Sequence, residues 1–118
     1  MEGSKPRSQH ASHTLEVLAR TREQGERGHE SWALRLLGEI TEVGDDAAAS
    51  EGFYHDALML ATKLEMRPVM AHCHAGLARL RRRRGRDQEG QEHFIAAMTM
   101  YGDMGMTYWL TKLTAESR

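Results

Sequence analysis

The densest charge in this chain is a run of six arginines, Arg79, Arg81, Arg82, Arg83, Arg84 and Arg86. Guanidinium forks suit carboxylates and phosphates, so the chemistry open to this run is recognition of an anion or an acidic peptide. The same run also reads as the solvated end of a helix, its cations complementing the negative end of the helix dipole. Four consecutive residues sweep around a helix, so Arg81 to Arg84 cannot all face one groove. Nucleic acid is not expected as a partner, because no aromatic residues interleave with the arginines to stack on bases.

A second cluster, His72-Cys73-His74, has the residue types of a metal site but not the geometry. Consecutive helical residues point about 100° apart and do not converge on one ion. Cys73 lies on an apolar stripe, where a thiol acts as a small hydrophobe. His10 and His13 have helical i, i+3 spacing near the N-terminus, enough for an adventitious contact only. We therefore expect no metal and no cofactor. Asp45-Asp46 reads as a turn and cap, Cys73 has no base on a shared face, and no Gly-rich phosphate loop occurs. No catalytic set emerges, so the chain is expected not to be an enzyme. Trp32 precedes Arg35, Glu39 and Glu42 at spacings of three and four. It reads either as an aromatic anchor for a partner or as packing against the helix before it. The methionines (Met59, Met66, Met70, Met98, Met100, Met104, Met106) read first as core filling, though a Met-rich face also adapts to partners.

These side chains must be positioned by helices. The 118 residues suffice for one domain, with 40% apolar and 28% charged residues and a net charge of -1. The stretches between Pro6 and Pro68 and beyond are rich in Ala, Leu, Met, Glu and Arg, while aromatics are only 6%. One cysteine excludes an intrachain disulfide and fits a reducing, cytoplasmic setting. No apolar run approaches the roughly 20 residues a membrane span needs. Residues 1–13 lack the apolar core of a secretory signal and read as a disordered lead-in or an expression remnant.

The chain resembles itself at an offset of 40: Leu37 with Leu77, Ile40 with Leu80, Tyr54 with Phe94, Ala57 with Ala97, Leu64 with Met104 and Met66 with Met106. Units near 29–68 and 69–106 each hold two helical patterns. Val69, Met70, Cys73, Leu77 and Leu80 mark a first helix, and Tyr54, Ala57, Leu58, Ala61 and Leu64 a second. Gly44 and Gly85 are expected to end helices in the left-handed conformation, with Asp46 and Asp87 capping the next. Leu15, Val17, Leu18 and Thr21 form a partial unit ending near Gly25 and Gly28, and Tyr108 to Leu113 form another. The expectation is an all-α array of about six antiparallel helices over residues 14–116, with Leu37, Tyr54, Ala57, Leu77, Phe94 and Ala97 buried.

Leu37-Gly38, Tyr54 and Ala57, followed in phase by Leu77-Ala78, Gly85, Phe94 and Ala97, resemble the tetratricopeptide repeat. The period departs from the usual length of about 34, and Thr41 and Arg81 stand where that repeat has tyrosine. GERGHESWALRLLGEI, LEMRPVMAHCHAGLARL and MYGDMGMTYWL are similar to the C-terminal repeat arrays of bacterial cyclase-like, AAA-ATPase-linked and LuxR-like signalling regulators. The resemblance implies an α-solenoid that binds a partner segment in a concave groove. Its register implies a groove lined by Trp32, Arg35, Glu39, Glu42, His72, Arg79, Arg82 and Arg83, with Arg81 and Arg84 facing elsewhere. Arg35 is present, but Glu39 stands where a carboxylate-clamp groove needs Asn. Two alternatives stay open beside protein binding: an oligomerisation element that self-associates through its terminal helices, and a small-ligand pocket. A monomer with the N-terminal helix docked is expected over a homodimer.

Overall fold

In a computed structural model, the backbone is described for residues 4–116 and the side chains for Glu16 and residues 19–116. Five helices follow in order: α1 (Ser4–Val43), α2 (Ala47–Lys63), α3 (Arg67–Arg83), α4 (Asp87–Asp103) and α5 (Thr107–Glu116). No strand occurs among the described residues. Each helix packs on the next, and α1 also reaches α3. No described helix is long and apolar enough to cross a membrane.

Helix boundaries follow from local chemistry. The Asp46 carboxylate accepts the Ala49 N–H at 3.2 Å and caps α2. Pro68 stands in the first turn of α3, where its missing N–H costs nothing. Asp87 lies inside the first turn of α4 rather than at its cap, which is Arg86; with Glu89 it complements the positive helix end. The left-handed residue after α1 is Asp45 (φ 66°), not Gly44, whereas Gly85 adopts it as expected (φ 76°).

Further expectations need correction. Among the described residues there are five helices rather than six: Gly25 and Gly28 do not interrupt α1, so the N-terminal partial unit and the first full helix are one 40-residue helix. An isolated helical glycine costs only about 1 kcal/mol, which twenty flanking helical residues offset. The backbone of α1 is described from Ser4, within the stretch 1–13. The expected packing of Leu15, Val17 and Leu18, and the contacts of His10 and His13, lie outside the described side chains. Leu37 is exposed rather than buried, at 41%, because no described helix covers that side of α1, and Phe94, also expected to be buried, is half-buried.

Two apolar clusters hold the array. The first joins Tyr54, Ala57 and Ala61 of α2 to Val69, Cys73, Leu77 and Leu80 of α3. The second joins Ala71 and Ala75 to Ala97, Tyr101 and Leu113, with Phe94 half-buried beside it. Helices approach closely because small residues face large ones. A Cβ on Gly76 would stand 2.4 Å from the Tyr54 ring, and one on Gly38 2.9 Å from it.

Between α3 and α4, the Nδ1 atoms of His74 and His93 lie 3.0 Å apart. Burial pushes the His74 imidazole down to about 4, helped by His93. Burial, with Arg81 nearby, also lowers His93. Neutral imidazoles share one hydrogen bond; two imidazolium rings would repel. The unfolded chain binds these protons first, so this contribution is complete above the ordinary value of 6.5 and is lost as pH falls from there towards 4. Urea unfolding at pH 7 and pH 5 is expected to give a lower midpoint at pH 5. His74→Leu should reduce that difference, leaving the part due to buried His72, which is also lowered to about 4; an unchanged pH dependence would remove the pair from the account.

Candidate functional site

A cleft of about 430 Å³ lies between α1, α3, α4 and α5. Its floor is aromatic. His72, buried on α3, meets the Trp109 ring edge-on at 4.6 Å and the Tyr101 ring at 5.4 Å. Trp32 of α1 stands at the lip, its ring 6.2 Å from His72 and 39% exposed. The Tyr101 hydroxyl and His72 Nδ1 are 2.6 Å apart. Burial first, then the charges of Arg35, Arg79 and Lys112, push His72 down to about 4, so it is neutral at ordinary pH. Burial raises the Tyr101 hydroxyl, which keeps its proton. The floor therefore offers flat, uncharged rings.

The walls are charged and mostly paired. The Glu42 carboxylate is buried, and it accepts the Tyr54 hydroxyl at 2.7 Å and a two-pronged Arg79 guanidinium at 2.8 and 3.1 Å. Burial would raise its proton affinity, but Arg79, Tyr54 and Arg83 outweigh that and hold it below the usual range. Arg79 also reaches Glu116 of α5 at 3.1 Å, which ties the first helix to the last. Arg35 is buried, bonded to Glu39 at 2.7 Å, and lies 5.1 Å over the Trp32 ring. Its Nε is buried without a hydrogen-bond partner. Arg83 and Lys112 complete the rim, Lys112 5.2 Å over Trp109.

The register-based residues separate into three groups. Glu39, Glu42, His72, Arg79 and Arg83 line this cleft, and Trp32 and Arg35 adjoin it. Arg82 lines a neighbouring hollow with Arg79, Arg83, Asp87 and Glu116. Arg81 and Arg84 lie elsewhere, both within 2.8 Å of Glu51 on α2. Sequence reasoning overlooked Tyr101, Trp109, Lys112, Leu113 and Glu116. The signal was present: extending the 40-residue offset past the second unit places Trp32, His72 and Lys112 in one equivalent position.

The only cysteine, Cys73, is buried, and burial pushes its thiol up to about 12. Compared with protein-family models, curated proteins and solved structures, the chain matches none of them.

Proposed function

We propose that the chain is a protein-interaction module that holds a segment of another protein in the concave cleft. The supporting observation is the pairing of an uncharged aromatic floor (His72, Tyr101, Trp109, with Trp32 at the lip) with a rim carrying Arg83 and Lys112. Aromatic anchors beside charges that select the partner are the usual energetic core of recognition surfaces. Arg79 makes the two-pronged bond to Glu42, and Arg83, 3.6 Å from the same carboxylate, keeps 57% of its side chain exposed, so Arg83 and Lys112 are the rim cations placed to meet a partner, which favours an acidic segment with an apolar or aromatic anchor. We read the five helices as a tetratricopeptide-like α-solenoid and the chain as a cytoplasmic module of, or relative to, the repeat arrays of bacterial signalling regulators. Binding rather than catalysis is the activity proposed. A cleft of about 430 Å³ also lies within the range of small-ligand sites, and that is the second reading.

Selection of a random displayed-peptide library against the chain tests both. Enriched peptides should share acidic residues near an aromatic or aliphatic anchor. Arg83→Gln with Lys112→Gln should weaken the best peptide at least about tenfold, roughly 1.4 kcal/mol. Arg81→Gln with Arg84→Gln, a matched loss of charge on another face, should change affinity less than about twofold. Equal weakening by both pairs would mean diffuse attraction rather than a cleft. Failure to enrich any peptide, with a small molecule quenching Trp109 fluorescence instead, would favour the second reading.

A further inference from the structure

Glu39, Glu42 and Glu116 all line the cleft, and they are held in different ways. Glu42 is buried, and Arg79 grips it along one edge of the guanidinium, through Nε and Nη2. Glu39 balances the buried Arg35. Releasing either carboxylate would strand a buried charge, which is costly. Glu116 differs. It accepts one bond, from Arg79 Nη1 on the other side of the guanidinium, at 3.1 Å, and its side chain is 33% exposed. A part-exposed pair of this kind contributes little. Its release strands nothing, because Arg79 stays paired with Glu42.

The contact also stands in the path of an acidic segment. Beside the aromatic cleft lies a second hollow of about 610 Å³, lined by Arg79, Arg82, Arg83, Asp87 and Glu116. Arg79, Arg83 and Glu116 line both, so their contact marks where the two hollows meet. A segment laid from one into the other meets Glu116 there, carboxylate against carboxylate. The last turn of α5 is built to give way. Its buried anchor, Leu113, lies three residues before Glu116. Helix ends fray, so Glu116 can swing out while Leu113 stays seated.

We propose that Glu116 is an internal stand-in for a partner's carboxylate: it holds Arg79 Nη1 in the free chain, and an acidic side chain of the bound segment displaces it. The proposal rests on the reading of the cleft as the site of an acidic segment. It adds Arg79 to Arg83 and Lys112 as a receiving cation. It also makes the end of α5 a built-in competitor, which a single stray carboxylate dislodges poorly and a segment anchored on the aromatic floor dislodges well.

Hexaglutamate, acetylated and amidated, is the probe: it offers side-chain carboxylates with no free terminus and no aromatic anchor. In calorimetric titrations at low salt, Glu116→Gln should bind it about threefold tighter or more than the native chain. Asp56→Asn removes the same charge from an exposed position on α2 and should leave affinity within about 1.5-fold. Arg79→Lys keeps a cation beside Glu42, but its single nitrogen cannot serve a second carboxylate as well. Adding it to Glu116→Gln should cancel the gain. Equal tightening by Glu116→Gln and Asp56→Asn overturns the proposal, and so does a gain that survives Arg79→Lys. Hexaglutamate that binds neither chain, or both equally, overturns it too. Library peptides that bind the cleft with no response to Glu116→Gln would leave the interaction reading standing and this inference fallen. The expected hexaglutamate results with no library peptide enriched would establish the carboxylate site and remove the protein partner.

Discussion

Leu77→Ala is expected to lose about 2–5 kcal/mol of folding stability, the range for a buried leucine truncated in a core that relaxes only partly. Leu77 is 1% exposed and sits on α3, the helix that touches α1, α2 and α4. Its side chain belongs to the cluster that includes Tyr54, Ala57 and Leu80. For a domain whose total stability is of order 5–15 kcal/mol, the loss is a large fraction. Ile40→Ala, on the exposed face of α1, should cost no more than about 0.5 kcal/mol in the monomer. Urea unfolding followed by far-ultraviolet circular dichroism compares the two. Equal losses would mean that α3 is not the centre of the fold.

Arg79→Met should cost roughly 2–3 kcal/mol, somewhat less than a fully enclosed pair because the Arg79 side chain keeps 29% exposure. The cost lies less in the lost attraction than in what remains: Glu42, its side chain only 7% exposed, stripped of its two-pronged partner. Replacing both, Glu42→Leu with Arg79→Met, should recover most of the loss, since no orphaned charge is left. The pH dependence separates this account from a packing defect. In the native chain the Glu42 pKa is lowered, so its contribution is present above 4.5 and is lost as pH falls through the folded value. In Arg79→Met burial dominates and raises that pKa. The unfolded carboxyl then ionises first, and the deficit should shrink as pH is lowered from 7 towards 5. A deficit that does not vary with pH would assign it to lost packing of the arginine stem.

Helical class, the α2–α3–α4 succession and the first core were legible in the sequence, because a helix that packs on both sides writes its contacts as residues three and four apart. Tyr54, Ala57, Leu77 and Ala97 are buried where that spacing put them. Leu37 was misread because an apolar stripe states that a face seeks cover, not that cover is present. Gly25 was misread because a glycine licenses a turn without compelling one. The cleft was half legible. Trp32, Glu42, His72 and Arg79 follow from register, but the bond from Arg79 to Glu42 spans 37 residues and has no local signature. Tyr101 belongs to the second core, and its hydroxyl against His72 appears only when α3 and α4 are brought together.

Arg79 stands 37 residues after Glu42 and 37 before Glu116, and it bonds to both. The three charges run across the hollow side, from the first helix to the last, like a string across a bow. Arg79 thereby fastens α1 to α5 across the cleft, and losing it is expected to let the two walls move apart.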